Sequence, residues 1–152
     1  MRHALPVLLL ITSCHMAAKP SPTHVSTSTS QERDSIREFV ATLDDNPDWS
    51  HFEYTPSVMK LIKVGLPAVP DLLDAMLVES EVTRLHAYTA LSRILASTCG
   101  FSDQGWSTPT SQSEWEGLLN RLGNLDPSDT YERRKASVRL WREWISTAVA
   151  AN

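Results

Sequence analysis

From residue 31 almost to the end of this chain, apolar side chains recur every three or four residues. That spacing gathers them on one side of an α-helix. No segment alternates apolar and polar residues at the two-residue period of a half-buried strand, so the pattern predicts an all-α fold. About 120 residues follow Gln31, enough for one core but not two.

Read in order, the pattern predicts about six helices. The first covers residues 31–43, with Ile36, Phe39, Val40 and Leu43 facing inward and Thr29 with Glu32 as a capping box. A turn rich in Asp, Asn and Pro follows over 44–54. Thr55 then caps a helix that has Pro56 at its first position, buries Val58, Leu61 and Ile62, and stops at Gly65. The third helix begins near Pro67, because Pro70 lacks an amide hydrogen and fits only a first turn. It buries Val69, Leu72, Leu73, Met76 and Leu77.

Ser80 caps the fourth, in which Leu85, Tyr88, Leu91 and Leu95 face one way and Ala87 and Ile94 widen the arc. So broad a stripe implies neighbours on two sides. Residues 101–112 read as a polar loop, and a short helix with Trp115, Leu118, Leu119 and Leu122 inward starts at Ser113. The last helix runs from about Thr130 to Ala148 with Val138, Trp141, Ile145 and Ala148 on one face.

Gly65-Leu66-Pro67-Ala68-Val69-Pro70-Asp71-Leu72-Leu73, followed by Arg84, Ala87, Leu91 and Ile94, resembles the turn and paired helices of a HEAT repeat. In that family a glycine ends one helix and a proline fixes the start of the next. The resemblance implies a short HEAT-like helical-repeat bundle that works as a protein-interaction scaffold. Glu132-Arg133, Ala136, Trp141 and Trp144 resemble the tryptophan-rich closing helix that follows short HEAT arrays in exported bacterial proteins. It would serve as a capping helix over the last bare face of the stack.

The N-terminus carries a separate message. Arg2 precedes the apolar run Ala4–Ile11, and small Thr12 and Ser13 lead to Cys14. The run is too short to cross a hydrocarbon core, which takes about 20 apolar residues. It resembles a bacterial lipoprotein signal, in which a peptidase cuts before the cysteine and acyl chains such as palmitate are attached to it. That resemblance implies a signal peptide over 1–13, lipid attachment at Cys14, and an extracytoplasmic protein held on a membrane of the cell envelope. Two other readings stay open: an ordinary secretion signal and a cytosolic protein with a mis-set start codon. Secretory cuts after Ala17 or Ala18 fit poorly, since His15 or Met16 would stand three residues before the cut. Residues 14–30, rich in Ser, Thr and Pro, are expected to form a disordered tether. The single helical domain is expected over 31–152.

The formal charge of −4 argues against a nucleic-acid partner, because nucleic-acid binders concentrate positive charge. No set of His, Cys or carboxylate residues has metal-ligand spacing. His51 and Glu53 share a turn, His86 is alone on its helix, and Asp44, Asp45 and Asp48 lack the rest of a calcium loop. There is no serine elbow, no phosphate-cradling glycine loop, and Glu114 and Glu116 point to different helix faces. The chain therefore reads as a non-enzyme without a cofactor; as an enzyme it would have to use Cys99 or His86. Cys99 before Gly100 reads as a small buried hydrophobe, with an intermolecular disulfide or a reactive thiol as the other reading.

Lys135, Arg139 and Arg142 recur at helical spacing and predict a basic ridge opposite Val138 and Trp141, suited to anionic lipid or a phosphate-bearing partner, or else a solvated face with Glu132 and Glu143 nearby. Trp144 lies between ridge and core and is the strongest candidate for a contact hot spot. A concave partner surface is expected near His86, Arg93 and Trp144. The sequence thus points to a membrane-tethered lipoprotein that binds another protein. Its rivals are an enzyme or small-ligand carrier with a pocket between helices, and a structural spacer of an envelope assembly.

Overall fold

A computed structural model describes residues 30–45 and 53–150. The leader, Cys14, the predicted tether through Thr29, and the turn residues Asp48 and His51 lie outside the described residues. Within them the chain is an all-α bundle of six helices: α1 (Ser30–Ala41), α2 (Pro56–Val64), α3 (Val69–Ala75), α4 (Glu81–Ser97), α5 (Pro109–Leu122) and α6 (Tyr131–Ala150).

Thr55 fixes the first junction. Its hydroxyl accepts the Val58 amide at 3.2 Å as a helix cap and donates to the Leu43 carbonyl at 3.0 Å. Leu43 lies in the turn after α1, two residues beyond the helix, yet is buried. Thr42 and Ser57 add a hydroxyl pair at 2.8 Å, so α1 and α2 are joined by satisfied polar groups as well as by packing.

Gly65 ends α2 at φ +76°, a backbone region open to glycine. The third helix starts later than its prolines suggest. Pro70 has no amide for the Leu66 carbonyl, so Val69 takes that acceptor and residues 66–68 close as one 3₁₀ turn before α3 begins. Met76, expected inside the helix, is buried in the turn after it.

α4 is the central helix, packed against both α2 and α3. Ala87, Ala90, Leu91, Ile94 and Leu95 are buried, whereas Leu85 and Tyr88 are only half-buried. The inward arc is therefore rotated from the expected one, because the alanines let neighbouring backbones approach and larger side chains sit at the edge. Cys99, past the end of α4, is buried.

Residues 101–112 are not the loop expected. Phe101–Ser102 (β1) pairs antiparallel with Gly105–Trp106 (β2), and Phe101 stands opposite Trp106 with ring centroids 4.8 Å apart. Gly105 turns the hairpin at φ +95°. α5 then starts four residues before Ser113: Thr108 caps it by accepting the Ser111 amide at 3.0 Å, with Pro109 in its first turn. This is the cap-and-proline chemistry of Thr55-Pro56.

Of the α5 stripe, Leu118 is fully buried and Trp115, Leu119 and Leu122 are half-buried. α6 packs on α3 and α5 and contributes Val138 and Trp141 to the core. Ala148 lies in α6, but its side chain is outside the described ones.

Candidate functional site

α6 carries most of the predicted contact residues. Its inward face runs Arg134, Val138, Trp141, Ile145, with the first three buried. Trp141 is wholly enclosed and donates its indole N–H to the Gly123 carbonyl at 2.8 Å. Trp115 lies against it at 5.8 Å between centroids, and Trp144 meets it edge to face at 5.5 Å and 82°. Trp144 is half-buried, so its indole joins the core to the α6 surface.

The outward side of α6 is exposed at Lys135, Arg139 and Arg142. Each is engaged. Arg139 pairs with Glu143 one turn on at 2.9 Å, Arg142 pairs with Asp74 of α3, and the Lys135 ammonium lies 5.9 Å from the Tyr131 ring centroid. The ridge is consequently not a block of bare positive charge but a set of donors interleaved with carboxylates. Between them lies an open depression of about 400 Å³ lined by Glu132, Lys135, Ala136, Val138, Arg139 and Arg142. Its floor is apolar and its rim carries both signs.

His86 does not belong to this surface. It is 1% exposed, and its Nδ1 lies 3.1 Å from Asp44 Oδ1, while the Thr83 hydroxyl donates to Asp44 Oδ2 at 2.6 Å. The surface role expected for His86 is corrected: α4 is covered on most sides, and its histidine ties that helix to the turn after α1.

Arg93 is partly exposed, pairs with Asp103 at 2.7 Å, and lays its guanidinium 4.9 Å from the Phe101 ring centroid. It clamps the β-hairpin onto α4. The structure therefore brings Lys135, Arg139 and Arg142 together and places Trp144 on the same helix. His86 and Arg93 sit apart from them.

Two charged residues were missed as core members. Arg84 is buried, with Nε donating to the Pro127 carbonyl at 2.8 Å and Nη1 to the Val78 carbonyl at 3.0 Å and to the Glu79 carbonyl. Arg134 is buried too, with Nε on the Met76 carbonyl at 2.9 Å and Nη1 on the Asp129 carbonyl. Both arginines fasten the turn between α3 and α4 to the loop before α6. Their sequence signal is position, since Arg84 and Arg134 stand three and four residues before Ala87 and Val138 on the same helical faces, and Arg84 is also part of the HEAT-like pattern.

Asp126 in that loop accepts the Ser128 hydroxyl at 2.6 Å and the Ser128 amide at 2.8 Å, which hold its carboxyl below the usual aspartate range. Among the described residues no three His, Cys, Asp or Glu side chains group as a metal site, and no helix is long and apolar enough to cross a membrane. No protein-family model matches this chain, and no curated protein or solved structure matches it.

Proposed function

We propose that this chain is a membrane-tethered lipoprotein whose helical domain binds another protein through the outer face of α6. The observation that carries the binding role is the open depression among Glu132, Lys135, Val138, Arg139 and Arg142 on the exposed side of α6. An apolar floor with a rim of both charge signs suits a polypeptide, which offers apolar side chains together with carboxylates and carbonyls. The tether rests on Thr12-Ser13-Cys14 at the end of the apolar leader, and it would hold the domain on the outer side of a bacterial membrane.

The HEAT-like reading draws support from the succession of Gly65, the 3₁₀ turn at Pro67 and α3, and from α4 packing on both α2 and α3. Helical repeats of that kind commonly present binding surfaces.

A photo-crosslinking residue at Arg139, in cells expressing the whole chain, tests the binding role. The expected result is one discrete protein adduct that disappears when Lys135→Glu and Arg142→Glu are introduced together. No adduct at Arg139, or an adduct indifferent to both changes, would overturn it and return weight to a ligand-carrying or spacer role.

A further inference from the structure

We infer that the outer face of α2 is a second contact surface, and that it lies against the head groups of an anionic lipid bilayer. This rests on the lipoprotein reading for the presence of a membrane, but the surface itself is read from other residues.

From Tyr54 to Pro70 the sequence contains no carboxylate and two lysines, in a chain where acids outnumber bases 18 to 14. The structure gathers the solvent-facing part of this segment along one helix. Ser57, Val58 and Leu61 are buried against the core, which leaves Pro56, Met59, Lys60 and Lys63 exposed on the other side of α2. Tyr54 extends the strip at one end and Leu66 at the other. Tyr54, Met59 and Leu66 are 40%, 43% and 41% exposed, half of the large exposed apolar side chains among the described residues.

The lysines separate this strip from the α6 ridge. Arg139 and Arg142 are neutralised by Glu143 and Asp74, whereas among the described residues neither Lys60 nor Lys63 has a carboxylate partner. Lys60 rests its ammonium 4.8 Å from the Phe39 ring centroid, as Lys135 rests on Tyr131 at 5.9 Å, and such a ring contact supplies no negative charge; the contrast with the ridge lies in its two arginines. Glu53 and Asp71 are the nearest acids in sequence on either side, and neither pairs with them.

Long lysine stems beside exposed Met, Leu and Tyr suit a bilayer interface: apolar tips enter the head-group layer, and ammonium groups meet lipid phosphates. Each lysine near an anionic surface strengthens binding about fivefold. A convex helix face also fits a broad, deformable surface better than a shaped pocket. Chain length keeps the face within reach, since the roughly 16 residues from Cys14 to Ser30 cannot span more than about 55 Å.

The test uses the whole chain mixed with vesicles of phosphatidylcholine alone or with phosphatidylglycerol added. The leader contributes equally in every arm, so the reading is the ratio of binding to the two vesicle types. The unchanged chain should favour the anionic vesicles at least tenfold. Lys60→Glu with Lys63→Glu should bring the ratio within twofold of one, while the charge-matched pair Arg121→Glu with Arg133→Glu, exposed on α5 and α6, should leave most of the preference. Met59→Ser with Leu66→Ser should weaken binding to the anionic vesicles severalfold, with helicity by circular dichroism unchanged.

A chain without anionic preference overturns the inference, as does equal loss in both charge-reversed pairs. Retention on immobilised polyglutamate without vesicle preference would also overturn it, assigning the strip to an acidic polypeptide. None of these outcomes bears on lipid attachment at Cys14, which is read by acyl labelling of that residue.

Discussion

Trp141 on α6 gives its indole N–H to the carbonyl of Gly123, the residue that ends α5, across 2.8 Å. One buried side chain thus sets the spacing of the last two helices by volume and by hydrogen bond together. Trp141→Ala is expected to cost about 3–5 kcal/mol, as large-to-small changes of buried aromatics do. Trp141→Phe keeps much of the volume but strands the Gly123 carbonyl, for about 1–3 kcal/mol. Urea unfolding of both variants checks the order.

Gly123 itself is constrained twice. It sits at φ +85°, and a Cβ added there would run into the Ser137 hydroxyl. Gly123→Ala is expected to lower stability by at least about 1–2 kcal/mol through the backbone alone. Adding Ser137→Ala should recover part of the loss, because the Oγ clash goes while the strained φ stays. A double-mutant cycle of thermal or urea midpoints measures the recovery.

Arg134 holds the Met76 and Asp129 carbonyls, so its role depends on a planar fork of donors. Arg134→Ala leaves buried acceptors unmet and should destabilise by about 2–4 kcal/mol. Arg134→Lys should recover less than half, since one ammonium cannot reproduce the geometry. Helicity-monitored denaturation distinguishes this from a surface charge, for which both changes would be near neutral.

The carboxyl of Asp126 is held below its ordinary range by hydrogen bonds from Ser128. A lowered folded value means the unfolded chain takes up the proton first as pH falls. The stabilisation is therefore complete above the unfolded value and disappears as pH drops through the folded one. Asp126→Asn should remove that part of the acid dependence, seen as a flatter stability profile below about pH 4. An unchanged profile would contradict the assignment.

Much of the fold was legible because its helices announce themselves locally. Thr55-Pro56, Gly65 and Ser80 mark boundaries, and stripes such as Val69, Leu72 and Leu73 mark the buried side. Local pattern is silent where a polar residue takes a core position or where a side chain's place depends on contacts far along the chain. Arg84 and Arg134 look like surface charges until carbonyls 43 and 58 residues away meet them. His86 lies inside because α4 is enclosed, which no periodicity of that helix alone reveals. The two-residue strands escaped because alternation needs more length than they have, and the early start of α5 was written in Thr108-Pro109 but outweighed by the surrounding polar residues. For the contact surface, helical spacing located Lys135, Arg139 and Arg142 together, but only the tertiary arrangement supplied Asp74 as partner for Arg142.

Acyl labelling of Cys14 is the most direct test of a membrane-tethered module. Cells expressing the whole chain are grown with labelled palmitate and then fractionated. The account predicts label on the unchanged protein, which sediments with membranes, and both label and sedimentation lost in Cys14→Ala. An unchanged chain that takes up no palmitate, or a Cys14→Ala chain that remains labelled, would contradict it.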